Sequence, residues 1–471
     1  MNDVLARLRA MQARDLPVHG GRTLAYVFDS GLADVDEVGR AAVAAYAGAN
    51  GLDPTAFPSL LAMENEVVGF ACDLLDAPAG AVGSVTSGGT ESCLLAVQGA
   101  RDARPDVPDP SIVVPDTVHA AFHKAAHYFG LRTVVIPVGD DFRADVAAMT
   151  AALDDSTVLV VGSAPSYAHG VVDPITSLAD VAAARGIRCH VDACIGGWVL
   201  PYAARVGRDV PPWSFAVPGV TSISVDLHKY GYAPKGTSVL LHREPGLRRP
   251  QFFAWAGWPG YTMLNSTMQS TKSGGPLAGA WAVLQTLGDE GYAGLAAQAF
   301  TAVDEIVAGL SAPLALVAPP DSTLVAVATD ASCDPFTICD ELATRGWFVQ
   351  PQMSYAGRPA TLHLSVSAST PAAEFLAALS ESVAAAVAAG PVTVDPEVVA
   401  FIEALDPAAL TDEDFDGLLA ASGLVGSSED GALALPDRMA PVNAMLDVAS
   451  AAMREALLIA FLDRLSRPAR R

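Results

Sequence analysis

Between about residues 80 and 245, short β-branched runs alternate with longer Ala/Leu-rich stretches, and Gly, Pro, Asp or Ser marks each change of type. Nearly continuous apolar runs at 84–87, 111–115, 133–138, 157–163, 187–193, 221–226 and 237–242 predict strands covered on both faces. Helical spacing over 90–104, 119–129, 143–153 and 175–186 supplies the crossovers, with Thr90, Glu91 and Asp145 near helix starts. The alternation predicts an α/β fold: a large, mostly parallel seven-stranded sheet with helices on both sides.

Beyond residue 275 the period changes. Helices are predicted at 276–288, 293–310, 335–345 and 371–389, with strands at 323–329 and 361–367, which reads as a smaller α+β domain. The pattern divides the chain into an N-terminal segment (1–60), a large domain (61–310), a small α+β domain (311–390) and a helical C-terminal extension (391–471). The extension contains the helical run APVNAMLDVASAAMREALLIAFLDRL, and 422–436 is expected to be a flexible loop.

Composition narrows the function classes. The 471 residues are 51% hydrophobic and 17% charged, enough for a sizeable core. A formal charge of −24 disfavours nucleic acid and anionic membranes as partners. The six cysteines show no paired CxxC spacing, so neither a disulfide framework nor a zinc site is expected. The first residues do not resemble a signal peptide and no uninterrupted apolar stretch reaches membrane-spanning length, so a soluble cytoplasmic enzyme is expected.

Three motifs carry chemistry. In SVTSGGTES, two glycines join a strand to a helix, so the amides of Gly88, Gly89 and Thr90 can face an anion such as a phosphate. In HVDACIGGW, Asp192 ends a β-run at the sheet edge where open α/β proteins bind ligands. A carboxylate there can keep a pyridine nitrogen protonated, as pyridoxal 5′-phosphate chemistry requires. In SISVDLHKYGYAPKG, Lys229 follows a strand beside His228; partial desolvation and nearby cations would lower its pKa and free an amine for an aldehyde cofactor. Each motif alone is compatible with a tight turn, a cap or a surface charge. Their order together is that of fold-type I pyridoxal phosphate enzymes.

The stretches FPSLLAMENEVV, SVTSGGTESCLLAVQGARD, HAAFHKAAHYFG, GSAPSYAHGVVDPI, HVDACIGGW and SISVDLHKYGYAPKG resemble the group II pyridoxal-dependent decarboxylases, and within them the sphingosine-1-phosphate lyases, over about residues 22–370. The resemblance implies that Lys229 binds the cofactor as a Schiff base, that Asp192 pairs with the pyridine nitrogen and that His119 stacks on the ring. It places Gly89, Thr90 and His228 at the cofactor phosphate, His169 near the cofactor and Lys235 near the substrate as a positive charge or proton carrier. It also implies a homodimer with shared active sites, in which the N-terminal segment and Gly274 and Gly275 approach the neighbouring subunit.

One departure concerns the substrate. Where these lyases carry Leu-His-Pro-Asp before the FP motif, this chain reads LDPTAFPS, with Asp53 in place of a phosphate-binding histidine. An acid repels a phosphate, which counts against a phosphorylated sphingoid base and leaves the phosphorylation state of the substrate open. The strand TLHLSVSAST lacks the carboxylate-binding arginine usual in aminotransferases, Arg358 lying in the preceding loop. Carbon–carbon lyase chemistry remains, either amino-acid decarboxylation or retro-aldol cleavage, for which Lys235 and the Tyr230/Tyr232 pair are candidate proton carriers. Trp198, Trp255, Trp258 and Tyr261 are candidate pocket-lining aromatics. A third reading is a catalytically inactive scaffold of the same fold.

Overall fold

A computed structural model describes residues 2–421, 436–466 and 468. Seven strands, β1 (Val82–Thr86), β2 (Ser111–Pro115), β3 (Arg132–Ile136), β4 (Thr157–Ser163), β5 (Arg188–Asp192), β6 (Ser222–Val225) and β7 (Ser238–His242), form one sheet. Their order is β1-β7-β6-β5-β4-β2-β3. Neighbours from β6 to β3 are parallel, whereas β7 is antiparallel to both β1 and β6. Reversal at β7 leaves β1 running in the same direction as β5 and β6. The C-terminal ends of these three strands therefore open on one edge, the ligand-binding edge of such sheets.

The strands follow the predicted runs to within a few residues. Every residue of β2, β4 and β7 is buried, as apolar runs without alternation require in a sheet covered on both faces. Edge strand β3 is partly exposed. The two helices predicted at 276–288 and 293–310 form one run, Gly274–Gly309, broken at Gly288, whose φ of 56° only glycine adopts without strain. The helical run 440–465 is in turn interrupted, because Ser450 accepts a hydrogen bond from the Met453 amide and caps a new helix, Ala451–Leu465, after Ala440–Val448. A hairpin pairing Phe253–Trp255 with Met263–Asn265 is absent from the sequence reading, as are three helices before β1, Asn2–Gln12, Ala33–Ala45 and Pro58–Leu74.

Contacts divide the chain into two units rather than four. The first comprises Met1–Val307, Ala318–Val325 and Ser365–Pro371. The N-terminal segment belongs to it because its backbone is tied in: the Ser365 amide bonds to Leu24 O, and Asp29 accepts the amides of Gly20 and Gly31. The Arg143 guanidinium, which donates to Val172 O, meets Asp321 at 2.7 Å, and Asp321 in turn accepts the Val172 amide at 2.7 Å.

The second unit comprises Ala308–Val317, Ala326–Leu364 and Ala372–Arg471. The small domain and the C-terminal extension share it because the Asp340 carboxylate accepts the amides of Met439 and Ala440, at 2.9 and 2.8 Å. Ile402, Phe415, Leu418, Met445, Met453 and Leu457 give the extension a core of its own. Ala372–Ala389 is, by length and composition, long and apolar enough to cross a membrane, although Glu374 and Glu381 interrupt its apolar run. Its Phe375, Leu379, Val383 and Ala386 are buried within the second unit. The segment 422–436, expected as a flexible loop, lies outside the described residues except for Pro436.

Candidate active site

β1 ends at Thr86, and a helix begins at Gly89. The turn between them is tied down from below, as Thr86 Oγ1 meets Ser92 Oγ at 2.8 Å and Ser92 Oγ meets Ser238 Oγ at 2.9 Å. Glu91 closes it from the side, accepting the Ser87 amide at 2.5 Å and the Met268 amide at 2.8 Å. The first intrahelical bond runs from Ser92 N to Gly88 O, so the amides of Gly89 and Thr90 belong to the open first turn. Glycine is required at 89, where a Cβ would stand 2.7 Å from Asp226 Oδ2 and 2.8 Å from Cys194 Sγ.

Asp192 closes β5, buried, with Oδ1 accepting the Cys194 amide at 3.1 Å. At the end of β6 stands Asp226, whose side chain is 1% exposed and whose Oδ2 lies 2.9 Å from Lys229 Nζ. His228 Nε2 lies 3.6 Å from the same carboxylate oxygen. His228 Nδ1 accepts the Thr237 amide at 3.2 Å, which leaves the ring proton on Nε2. His119 Nδ1 likewise accepts the Ala121 amide, and the ring is exposed toward solvent.

One cavity of about 320 Å³ is lined by Gly88, Gly89, Thr90, His119, Asp192, His228 and Lys229, together with Tyr167, Cys93, Cys194 and Asp226. Seven residues singled out in the sequence thus meet in one place. Three do not line it. The Lys235 Nζ is turned against Tyr26 O and His228 O, at 2.9 and 3.0 Å. His169 stacks on Phe142, ring centroids 4.2 Å apart, rather than on the cavity wall. Gly275 is buried against Val43, where a Cβ would come within 3.2 Å of Val43 O.

Electrostatics reverse one expectation. Burial of Lys229 favours the free amine, but Asp226, with Cys194 and Asp192 adding to it, outweighs burial and raises the Lys229 pKa. The lysine with a depressed pKa is Lys235: desolvation of its Nζ and the Lys229 charge lower it to about 8 against the pull of Asp226. Tyr230 donates to Val366 O at 2.7 Å, and burial raises both Tyr230 and Tyr232, so neither is a ready base. Among the aromatics, Trp198 is core, packed on Phe70 and Tyr292. Trp255, Trp258 and Tyr261 are exposed at the hairpin.

Asp226 and Tyr167 are among the lining residues that escaped the sequence reading, as are Cys93 and Cys194. Asp226 had a signal, since a strand-end carboxylate three residues before a lysine places both on one turn. Tyr167 had none, because it reaches the cavity only through the loop after β4; burial pushes its hydroxyl up to about 12.

The cavity fits pyridoxal phosphate. A side chain at position 89 would fill the floor of the phosphate cradle, Asp192 supplies the carboxylate for a pyridinium nitrogen, and Lys229 supplies the amine. Fold and site together place the molecule among the fold-type I pyridoxal-phosphate-dependent proteins. Residues 38–300 match the pyridoxal-dependent decarboxylase conserved domain, and the chain belongs to that family. Residues 396–464 match a helix-turn-helix domain described at the C-terminus of pyridoxal-dependent enzymes.

The sphingosine-1-phosphate lyase of Dictyostelium discoideum is 40% identical over 323 residues, 68% of this chain and 60% of that protein. The chain thus spans less than two thirds of the length of that curated relative. A Methanothermobacter thermautotrophicus protein named as a probable L-tyrosine/L-aspartate decarboxylase is 32% identical over 299 residues, 63% of this chain and 81% of that one. The solved sphingosine-1-phosphate lyase of Burkholderia pseudomallei superposes with a TM-score of 0.77 at 33% identity, covering 82% of this chain and 91% of that chain.

Proposed function

We propose that this protein is a pyridoxal-phosphate-dependent carbon–carbon lyase that cleaves an amino alcohol or β-hydroxy amino acid beside its amine-bearing carbon. The observation that carries the proposal is the convergence of Lys229, Asp192, His119 and the Gly88–Thr90 turn on one cavity. The lyases among its relatives favour retro-aldol cleavage over decarboxylation. The decarboxylase relative keeps amino-acid decarboxylation as the second reading.

When bound, pyridoxal phosphate supplies an electron sink for the pair released at the substrate α-carbon. Lys229 Nζ, which lines the cavity, would hold the cofactor through its aldehyde. Asp226 keeps Lys229 charged beforehand, so the lysine must pass a proton on before it can act as an amine. Asp192 would hold a proton on the ring nitrogen, and His119 would pack against the cofactor. The first-turn amides of Gly89 and Thr90, with His228, would bind the phosphate. Lys235, lowered to about 8, is the candidate to take a proton from a substrate hydroxyl, which requires its Nζ to turn from Tyr26 O and His228 O toward the cavity.

Asp53 accepts from the Thr55 amide and hydroxyl and lines a second cavity that also holds Lys272 and Arg248. That cavity is separate from the one that holds Lys229, so the reading of a substrate lacking a phosphate rests on the family motif alone. The family resemblance and the exposed aromatic hairpin support a homodimer, with Gly274 and Gly275 near the neighbouring subunit's site.

The test is spectroscopic and chemical. Protein with added pyridoxal phosphate is expected to show visible absorbance that borohydride abolishes, with the reduced adduct mapping to Lys229. Released aldehyde from free amino alcohols supports the lyase and carbon dioxide from amino acids the second reading. A colourless protein that takes up no cofactor overturns both in favour of a scaffold.

A further inference from the structure

Two thiols meet a carboxylate in this cavity. Cys93 Sγ, Cys194 Sγ and a carboxylate oxygen of Asp192 all lie within 4.8 Å of one another, and all three residues are buried. Cys93 stands one turn into the helix that begins at Gly89, Cys194 lies in the loop after β5, and Asp192 closes β5. Three separate backbone positions thus bring one donor atom each to a common point.

The donors are held in place. Cys194 Sγ donates to Ser224 Oγ at 3.3 Å, and Ser224 Oγ lies 3.2 Å from His190 Nε2. His190 Nδ1 is bonded to Ser222 Oγ at 2.8 Å, which fixes the ring that backs Ser224. The Cys194 amide fixes Asp192 Oδ1 at 3.1 Å. Gly89 leaves the Cys194 sulfur uncovered, since a Cβ there would lie 2.8 Å from it. All three ligand residues line the cavity, so an ion entering it reaches them directly.

We propose that, in the cofactor-free protein, Cys93, Cys194 and Asp192 form a binding site for a thiophilic divalent cation such as zinc or cadmium. Two sulfurs and one oxygen with a fourth position open to the cavity are the donor set of a tetrahedral zinc-type site. Metal–sulfur bonds of about 2.3 Å and metal–oxygen bonds of about 2.0–2.2 Å are compatible with three donor atoms that all lie within 4.8 Å of one another. Coordination forms two metal–sulfur bonds and one metal–oxygen bond, and each thiol gives up its proton to solvent. The Asp192 charge draws the cation in, while Asp226, already paired with Lys229, offsets that ammonium.

Asp192 cannot serve the cation and a pyridine nitrogen together. Metal and pyridoxal phosphate therefore exclude one another, and the metal-bound protein is an inhibited form. Direct metal binding stands apart from the cofactor assignment; only the exclusion rests on it.

The experiment titrates the cofactor-free protein with cadmium chloride and follows the ultraviolet thiolate-to-metal charge-transfer band. One cadmium per chain is expected, with affinity falling about a hundredfold or more in Cys93→Ala and in Cys194→Ala. Cys72→Ala, which alters a thiol outside the cavity, is expected to bind as the parent does. Circular dichroism confirms that each variant is folded. Saturating pyridoxal phosphate is expected to abolish the band.

Absence of a band in the parent protein overturns the proposal, as does a band that survives in both cavity variants; the two thiols are then packing groups. Cadmium binding that persists beside bound pyridoxal phosphate overturns the exclusion. Cadmium binding by a protein that takes up no pyridoxal phosphate keeps the metal site and removes the cofactor assignment instead.

Discussion

Asp226 Oδ2 lies 2.9 Å from Lys229 Nζ, and the Asp226 side chain is almost wholly buried. The pair sits within one turn after β6, so the lysine is held as an ammonium where its chemistry needs an amine. Asp226 shows the reciprocal effect: burial opposes its ionisation, but Lys229 and His228 lower its pKa overall.

Replacing Asp226 with Asn removes the charge that keeps Lys229 protonated. The pH at which added pyridoxal phosphate is half captured is expected to fall by about one to three pH units. Visible absorbance from pH 6 to 11 measures it, and an unshifted midpoint removes Asp226 from control of the lysine. In the parent protein, the Asp226 contribution to stability is present above the ordinary carboxylate pKa and is lost as pH falls through its lowered folded value.

Gly89→Ala introduces a Cβ that meets Asp226 and Cys194 at 2.7 and 2.8 Å. Overpacking of this kind costs about 1–3 kcal/mol, and here it falls on the phosphate cradle. Weaker cofactor binding and a melting temperature lowered by a few degrees are expected; titration of the cofactor-free protein with pyridoxal phosphate and thermal unfolding give the two readings.

Lys235 carries a pKa lowered to about 8, so its neutral form grows as pH rises through that value. If the neutral amine takes the substrate proton, activity rises with pH to a plateau above about 8. Lys235→Arg, which stays charged throughout, is expected to lose both the rise and most of the activity. A profile identical in the variant assigns Lys235 to positioning through Tyr26 and His228 instead.

Asp173 accepts the amides of Ser163 and Ala144, both at 2.8 Å, beneath the end of β4. Asp173→Ala leaves two buried donors unpaired and is expected to cost about 2–5 kcal/mol in chemical denaturation. Burial pushes Asp173 up to about 6 from its ordinary 3.8. Between these values the folded chain binds the proton more tightly than the unfolded one, so this group's contribution to stability declines as pH rises across the window. Asp173→Ala should remove that slope.

The parts of the site readable in the sequence are those carried by local pattern. A strand followed by Gly-Gly-Thr and a helix, and a strand ending in Asp or Lys, announce groups at a sheet edge because strand termini have fixed positions in a parallel sheet. Gly88, Gly89, Thr90, Asp192 and Lys229 were singled out in this way, and His119 and His228 through family resemblance. Distance in the chain hid other relationships. His169 occupies a promising motif yet stacks on Phe142, because loop direction after β4 is decided by packing. The Tyr230/Tyr232 pair looked like proton carriers, but burial holds both hydroxyls protonated.

By itself, the sequence determined the seven-stranded α/β plan, the order of the motifs and the family, since runs of apolar residues and their punctuation are local properties of the chain. The tertiary structure alone decided the charge state of Lys229, the lowered pKa of Lys235 and the meeting of Cys93, Cys194 and Asp192. These depend on distances between groups from different elements and on removal of water around them. Electrostatic energy varies steeply with both, and neither is written in linear spacing.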